Sequence, residues 1–411
     1  MSIENHTLHI EKKSTIASTV IELPASKSIA NRALILDALA GGKSHISNLS
    51  EARDTETMKR LLGSDIPEWD VLDAGTTMRF LTAYAAVTST KTLTGTKRMQ
   101  ERPIKILTDS LKELGAGIEY LSKDGYPPVK VTPINKQLTD KIAIRGDVSS
   151  QYISAIMMIA ASLPNGLEIE LTGHIGSKPY ISMTLAVMKA FGIEAEWQDH
   201  TIKVPHQKYQ PTEYRVEPDW SAASYWYSFV ALSNDAQVTL KDLKDNSIQG
   251  DRQIADYMAH LGVKTLFTTE GAHLSKCEHQ SEVAFDFTDC PDMAQTVAVI
   301  CAAKGIVCEM TGLESLRIKE TDRILALQNE LAKFGAELRE KDNTWTIVPA
   351  LHEVNAEVLE FDTYHDHRMA MAFAPLSTMV PVNIKDPEVV NKSYPRFWED
   401  MEKAGFKISE L

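Results

Sequence analysis

A chain of 411 residues is longer than a single hydrophobic core usually grows, so two domains are expected. With 43% apolar and 24% charged residues it has the balance of a folded globular protein, and its formal charge of −13 excludes nucleic acid and anionic membrane as main partners, because both need a net positive face. No run approaches the roughly 18 apolar residues of a membrane span, and the opening MSIENHTLHIEKKS has no apolar stretch of a secretory signal, so a cytoplasmic location is expected.

In chain order, two kinds of helix alternate. The first kind opens on a small polar or acidic cluster and continues almost wholly apolar: Ser26-Lys27-Ser28 before ANRALILDALA, Asp73-Ala74-Gly75-Thr76 before MRFLTAYAAV, and residues 147–150 before QYISAIMMIAA. The pattern returns with Asp219-Trp220-Ser221 before AASYWYSFVAL, Asp289-Cys290-Pro291-Asp292 before MAQTVAVICAA, and His365-Asp366-His367 before RMAMAFA. Each begins with N-cap chemistry, and helices apolar on most sides belong inside a core. The second kind is amphipathic and ends in two apolar residues three apart, then Gly: Leu111-Leu114-Gly115, Met188-Phe191-Gly192, Met258-Leu261-Gly262, Leu331-Phe334-Gly335 and Met401-Ala404-Gly405, with a looser version from Met58 to Gly63. Gly is the expected helix stop.

Short alternating stretches between the helices read as strands: IEYLSKDG, PVKVTP, KIAIRG, LEIELTG, AEWQDHTIKV, KTLFTTEG and TWTIVPA. The stops from Gly115 to Gly405 lie 70 to 77 residues apart, against 52 from Gly63 to Gly115, so one unit lacks about twenty residues, and the gap falls just after Gly63. Six βα-rich units in two groups of three follow from this spacing. Cys277, Cys290, Cys301 and Cys308 have no metal-site spacing and are expected to be buried thiols.

Where polar N-termini of buried helices converge, their N–H groups and dipoles create a positive potential, which lets an acidic protein hold phosphates; taken singly, each is equally an ordinary cap. Lys27, Ser28 and Arg32 open the first buried helix, with a cation where the dipole opposes it. Either Lys27 is a solvated surface residue or it completes an anion site. Gly75, Thr76 and Thr77 with Arg79 offer N–H groups, hydroxyls and a guanidinium within one turn. Arg102 precedes Pro103 at an expected helix start, and Ser149, Ser150 and Gln151 suit a phosphate or polyol as well as a plain cap. In KETDR, Lys319 and Arg323 are expected on one helical face beside Glu320, a candidate acid–base site or an exposed ion-pair ladder. Asp292 is a helix-start acid or a buried base. The His365-Asp366-His367-Arg368 run lacks zinc spacing, and no metal is expected.

The motifs LPASKSIANRALILDALA, DAGTTMRFLTA, MQERPI, DVSSQYISAIMM, SKPYISMTL, IQGD, RIKETDR, DHRMAMAF and NKSYPRFW together resemble, in order and spacing, those of the 5-enolpyruvylshikimate-3-phosphate (EPSP) synthase family, over nearly the whole chain. The resemblance implies an α/β (α+β) enolpyruvyl transferase fold of two domains, an inside-out α/β barrel of six βαβαββ units with the first truncated. Residues 21–219 would form the inserted domain and residues 1–20 with 220–411 the second, with the active site in the cleft between them. It implies transfer of the enolpyruvyl group of phosphoenolpyruvate to the 5-hydroxyl of shikimate 3-phosphate through a tetrahedral ketal. These two small molecules would be the partners of a monomer without cofactor. Lys27, Gly75, Arg102, Gln151, Arg323, Arg368 and Lys392 would surround phosphoenolpyruvate. Lys27, Ser28, Arg32, Ser149, Ser150, Gln151, Ser177, Asp292 and Lys319 would bind shikimate 3-phosphate. Glu320, Asp292 and Lys27 would carry the proton transfers.

Four features depart from that family's pattern: the loss after Gly63, Asp73 for Asn, Phe80 for Pro, and Ser315 for Asn. Asp73 is expected to add negative charge beside the phosphoenolpyruvate site. Two other readings remain: a transferase acting on UDP-N-acetylglucosamine, which would use a loop Cys in a Gly/Arg-rich setting found at none of the four Cys here, and a degenerate relative that only binds.

Overall fold

The computed structural model describes residues 6–147, 149–350 and 354–411; of the polar cluster 147–150, Val148 lies outside the described residues. The chain forms two compact units, one continuous (Ala25–Glu217) and one split (Met1–Pro24 with Pro218–Leu411). The sequence placed these boundaries at residues 21 and 219. Among the described residues no helix is long and apolar enough to cross a membrane.

Among the described residues each unit contains three small sheets. Five of the six sheets are built alike. Two parallel strands flank a buried helix, and an antiparallel pair then extends the sheet past the second strand; in four sheets that pair is a hairpin, and in the fifth it is Thr7–Ile10 with Ile408–Glu410, from opposite ends of the chain. In the continuous unit, Lys141–Arg145 pairs in parallel with Leu167–Thr172 across the helix Ser150–Ala160, and Glu196–Gln198 with Thr201–Val204 supplies the hairpin. The register sets Ile142 opposite Ile169 and Ile144 opposite Leu171, and all four are buried. Their alternation gives one apolar sheet face. The helix it covers is buried from Tyr152 through Ala160, as an all-round apolar helix must be.

The sixth sheet explains the short interval after Gly63. It consists only of His45–Ser47 paired in parallel with Glu213–Arg215, so the parallel pair survives and the antiparallel hairpin is missing. The helix Arg53–Leu62 is followed almost at once by the strand Glu68–Asp70 of the next unit.

The recurring Gly stops also have a structural cause. The carbonyls of Leu111, Met188, Leu331 and Met401 accept from the N–H of the residue after each Gly, while Gly115, Gly192, Gly335 and Gly405 take φ between 83° and 107°. This is the Schellman closure, which needs a left-handed residue and a buried apolar partner one turn back. Gly63 departs from it, with φ −82°, and closes its helix without the left-handed turn.

Two expectations need correction. Cys290, Cys301 and Cys308 are buried, but Cys277 is exposed, because the strand Gly271–Lys276 ends just before it. Only three of the six central helices are capped by a side chain, those of Ser149, Asp219 and Asp366. Ser26 and Ala74 make no side-chain cap, and Asp292 spends its carboxylate on cations instead.

Candidate active site

In the split unit, the N-terminal ends of the central helices gather four cations around three carboxylates. Asp292 lies in the single 3-10 turn Pro291–Met293 that leads into Ala294–Lys304. Its Oδ1 is 3.0 Å from Arg323 Nη1 and 3.7 Å from Lys319 Nζ, and its Oδ2 accepts from Arg368 Nη2 at 2.9 Å. Glu320 Oε2 accepts from Arg323 Nη2 at 2.9 Å, with Lys392 Nζ 3.6 Å from Oε1. Asp366 caps the helix His367–Phe373 through the N–H of Arg368 and accepts from Arg323 Nε at 2.7 Å.

Arg323 is therefore the hub. Four of the five N–H directions of its guanidinium go to carboxylate oxygens of Asp366, Asp292 and Glu320. Lys319 and Arg323 meet at Asp292 Oδ1, but not through a shared helical face. The Asp322 side chain caps Leu325 N–H and starts the helix at Arg323, leaving Lys319 on extended backbone after the 3-10 segment Glu314–Ile318. The His365-Asp366-His367-Arg368 run likewise splits: His365 is exposed and pairs with Asp386, while Asp366 is fully buried on Arg323.

Charge balance follows from this geometry. Burial pushes the Asp292 carboxyl up, but Arg368, Lys319 and Arg323 outweigh it and hold it well below the usual carboxylate range. Burial opposes the Arg323 charge, yet Asp366, Glu320 and Asp292 keep it more firmly protonated than a free guanidinium. Asp251 accepts a hydrogen bond from Ser221, whose hydroxyl also lies 3.3 Å from Arg368 Nη2. Burial and then the neighbouring Asp292 charge push Asp251 up to about 6. Removing Asp366 would leave two faces of buried Arg323 without a partner, so Asp366→Ala should cost about 3–5 kcal/mol of stability. A urea titration checks this through a lower midpoint at unchanged slope.

The continuous unit holds the remaining candidates. Lys27, first residue of the helix Lys27–Leu39, donates to Asp54 Oδ2 at 3.0 Å, and Asp54 is almost wholly buried. Gly75 opens the helix Gly75–Ala85, where an added Cβ would fall 2.8 Å from both Arg102 Nη1 and Arg79 Nη1. Both arginines are buried beside it. Arg79 Nη1 donates to Gly75 O at 2.9 Å, and its guanidinium lies 5.7 Å from the Tyr152 ring centre. Asp73 is paired with Arg53, whose Nη2 reaches its two oxygens at 3.0 and 2.9 Å, so the expected extra negative charge is neutralised locally.

Arg32 is buried and ties three helices together. Its Nε donates to Thr184 Oγ1 at 2.7 Å, its Nη2 to Ser154 Oγ at 3.0 Å, and its Nη1 to Ser28 O at 3.0 Å. Phe80 is fully buried with its ring centre 5.3 Å from the guanidinium. These partners are neutral, and burial pulls the Arg32 pKa down to about 10. Ser149 caps Gln151 N–H, Ser150 is buried in the next position, and Ser177 takes φ 54° at the start of Lys178–Ala190. Nothing in the structure explains Ser315, which is exposed.

The family model described as EPSP synthase (3-phosphoshikimate 1-carboxyvinyltransferase) matches residues 10–71 and 66–401. The chain belongs to the EPSP synthase family. It is 48% identical over 395 residues to the 3-phosphoshikimate 1-carboxyvinyltransferase of Bacteroides fragilis (strain YCH46), covering 94% of this chain and 95% of that one. It is 38% identical to the enzyme of that name from Actinobacillus succinogenes, covering 93% and 96%. The EPSP synthase structure from Acinetobacter baumannii superposes with a TM-score of 0.79 at 19% identity, covering 99% of this chain and 100% of that one. The enolpyruvyl transferase NikO from Streptomyces tendae gives 0.73 at 13% identity, over 99% of each chain, so the enolpyruvyl transferase fold is shared. The names of the curated relatives do not favour the UDP-N-acetylglucosamine reading.

Sequence reasoning missed several partners in this EPSP synthase family site. Asp54 and Arg53 belong to none of the sequence motifs, and only the fold brings them onto Lys27 and Asp73. Asp251 lies in the IQGD motif, so a signal existed, but its link through Ser221 to Arg368 depends on the fold.

Proposed function

We propose that this chain joins phosphoenolpyruvate to the 5-hydroxyl of shikimate 3-phosphate and releases phosphate, in aromatic biosynthesis. The observation that carries the reading is the arrangement of Asp292 and Glu320, two carboxylates held by one buried guanidinium among four cations. Both substrates are polyanions, and fixed cations lower the cost of bringing them together. Lys27, Gly75, Arg102 and Gln151 act with Arg323, Arg368 and Lys392 on phosphoenolpyruvate. Ser28, Arg32, Ser149, Ser150, Gln151, Ser177 and Lys319 hold shikimate 3-phosphate. A buried Arg32 with neutral partners suits an incoming phosphate.

The C2 atom of phosphoenolpyruvate is a poor electrophile until C3 gains a proton. Glu320 in its protonated form gives that proton to C3 as the 5-hydroxyl attacks C2, and Asp292 takes the hydroxyl proton, giving a tetrahedral ketal. Glu320, now ionised, takes a proton back from C3 as the C2–O bond to phosphate breaks, which forms the enol ether and releases inorganic phosphate. In the free protein Asp292 is too firmly ionised to be an effective base. Substrate phosphate and carboxylate compete for Arg368, Lys319 and Arg323, which releases their hold on Asp292 and raises its basicity as the site fills. The chain acts in the cytoplasm as a monomer.

A phosphate-release assay with shikimate 3-phosphate and phosphoenolpyruvate, run beside UDP-N-acetylglucosamine, tests the acceptor. Release with the sugar nucleotide alone, or with neither, would overturn the proposal. Gly75→Ala should push the Arg102 and Arg79 guanidinium ends aside. The expected result is a roughly tenfold higher KM for phosphoenolpyruvate with a smaller change in kcat, because the lost contact is uniform binding.

A further inference from the structure

The central helices of the split unit end in a second basic site, unrelated to the groups described above. Lys304, last residue of Ala294–Lys304, donates to Leu261 O at 2.8 Å and to Ala231 O at 3.3 Å. Lys276 donates to that same Ala231 O at 3.1 Å, to Val230 O at 3.4 Å and to Ser233 O. Two ammonium groups thus face each other across one oxygen. They line a groove of about 740 Å³ whose rim includes Lys12 and His279.

Among the described residues lining this groove there is no Asp or Glu, although the chain as a whole carries a formal charge of −13. One lysine would suffice to satisfy the helix-end carbonyls. The second sets a like charge beside the first, with Asp235 acting on Lys276 from outside the lining. Burial and then Lys276 pull the Lys304 ammonium down to about 8, the response expected of a cation short of counter-charge. Ala303, Val354 and Met379 supply an apolar part of the lining, beside the polar Ser14, Asn234 and Thr378.

We propose that this groove binds a small carboxylate with an apolar body, its oxygens on Lys304 and Lys12 beside Lys276, and its body against Ala303, Val354 and Met379. Hydrogen-bond capacity selects the head group. Lys276 already directs three N–H groups at carbonyls and Lys304 two, so the anchored pair has about one free donor. With Lys12 from the rim this matches the two oxygens of a carboxylate better than the larger oxygen set of a phosphate. The site is also remote from the acid–base groups: the helix Trp220–Leu232 starts beside Ser221 and ends at the groove, about 20 Å further along.

Binding must take up a proton when the pH is above 8, because an anion restores the Lys304 ammonium. Affinity therefore holds below that pH and falls as pH rises through it. The groups facing Lys304 are Lys276, Cys277 and Cys301, with Lys12 and His279 on the rim and Asp235 beside Lys276.

Calorimetric titration of the full chain with benzoate is the test, with benzylamine and inorganic phosphate as comparison probes. Benzoate should bind at pH 7, and at pH 8.5 should take up protons, read from buffers of different ionisation enthalpy. Lys304→Gln should weaken it by about tenfold. Lys12→Gln, at an exposed position, should weaken it by a smaller factor without disturbing the fold. Benzylamine or phosphate binding as tightly as benzoate, absence of proton uptake, or unchanged affinity in Lys12→Gln and Lys304→Gln would each overturn the proposal.

Discussion

Replacing Lys27 by alanine is expected to lower turnover by roughly 10³-fold or more, the scale of removing a cation that meets charge developing in the transition state. The geometry also warns that the single variant will confuse two effects. Lys27 Nζ donates to Asp54 Oδ2 at 3.0 Å, and the Asp54 side chain is only 3% exposed. Taking the ammonium away strands a buried carboxylate, so the variant should also lose stability, on the order of 3 kcal/mol. The double variant Lys27→Ala with Asp54→Asn separates the two. An amide has no charge to strand, so melting temperature should recover. Turnover should not, because no cation has returned. Near-normal phosphate release by either variant would remove Lys27 from the chemistry.

The fold was legible because its repeat is written in local signals. Leu111, Met188, Leu331 and Met401 mark where a helix must close on a left-handed Gly, and their carbonyls receive those closing bonds. The missing hairpin could be located from the interval after Gly63 because its parallel strand pair stayed intact. What remained hidden was the partnership between distant residues. Asp73 adds negative charge by its type, and only the fold brings Arg53 onto it, from twenty residues earlier at the start of the helix Arg53–Leu62. Phe80 read as an unexplained change until its ring was found on the buried Arg32 guanidinium.

The KETDR segment shows the same limit from the other side. Spacing in fours suggested a helical face, and the residues do converge, yet Asp322 caps the helix at Arg323 and leaves Lys319 outside it. Lys319 reaches Asp292 from extended backbone instead. Sequence pattern recognised which side chains belong together. It could not say which carboxylate unites them, because Asp292 and Asp366 come from separate helices far along the chain.

Glu320→Gln should cut kcat by about 10²- to 10⁴-fold, the range for losing a positioned proton donor. The substitution keeps the shape, and the new amide oxygen can still accept from Arg323 Nη2, now 2.9 Å from Oε2. In the free protein it removes the carboxylate that Arg323 and Lys392 share, so these cations are freer to hold an anion. KM for phosphoenolpyruvate should therefore stay level or fall while kcat collapses, a split that a merely loosened site would not give. Deuterium exchange into the C3 methylene of phosphoenolpyruvate, followed by NMR in heavy water with shikimate 3-phosphate present, reads the proton step directly. That exchange should be lost in Glu320→Gln, and exchange at the unmodified rate would hand the proton to a different residue.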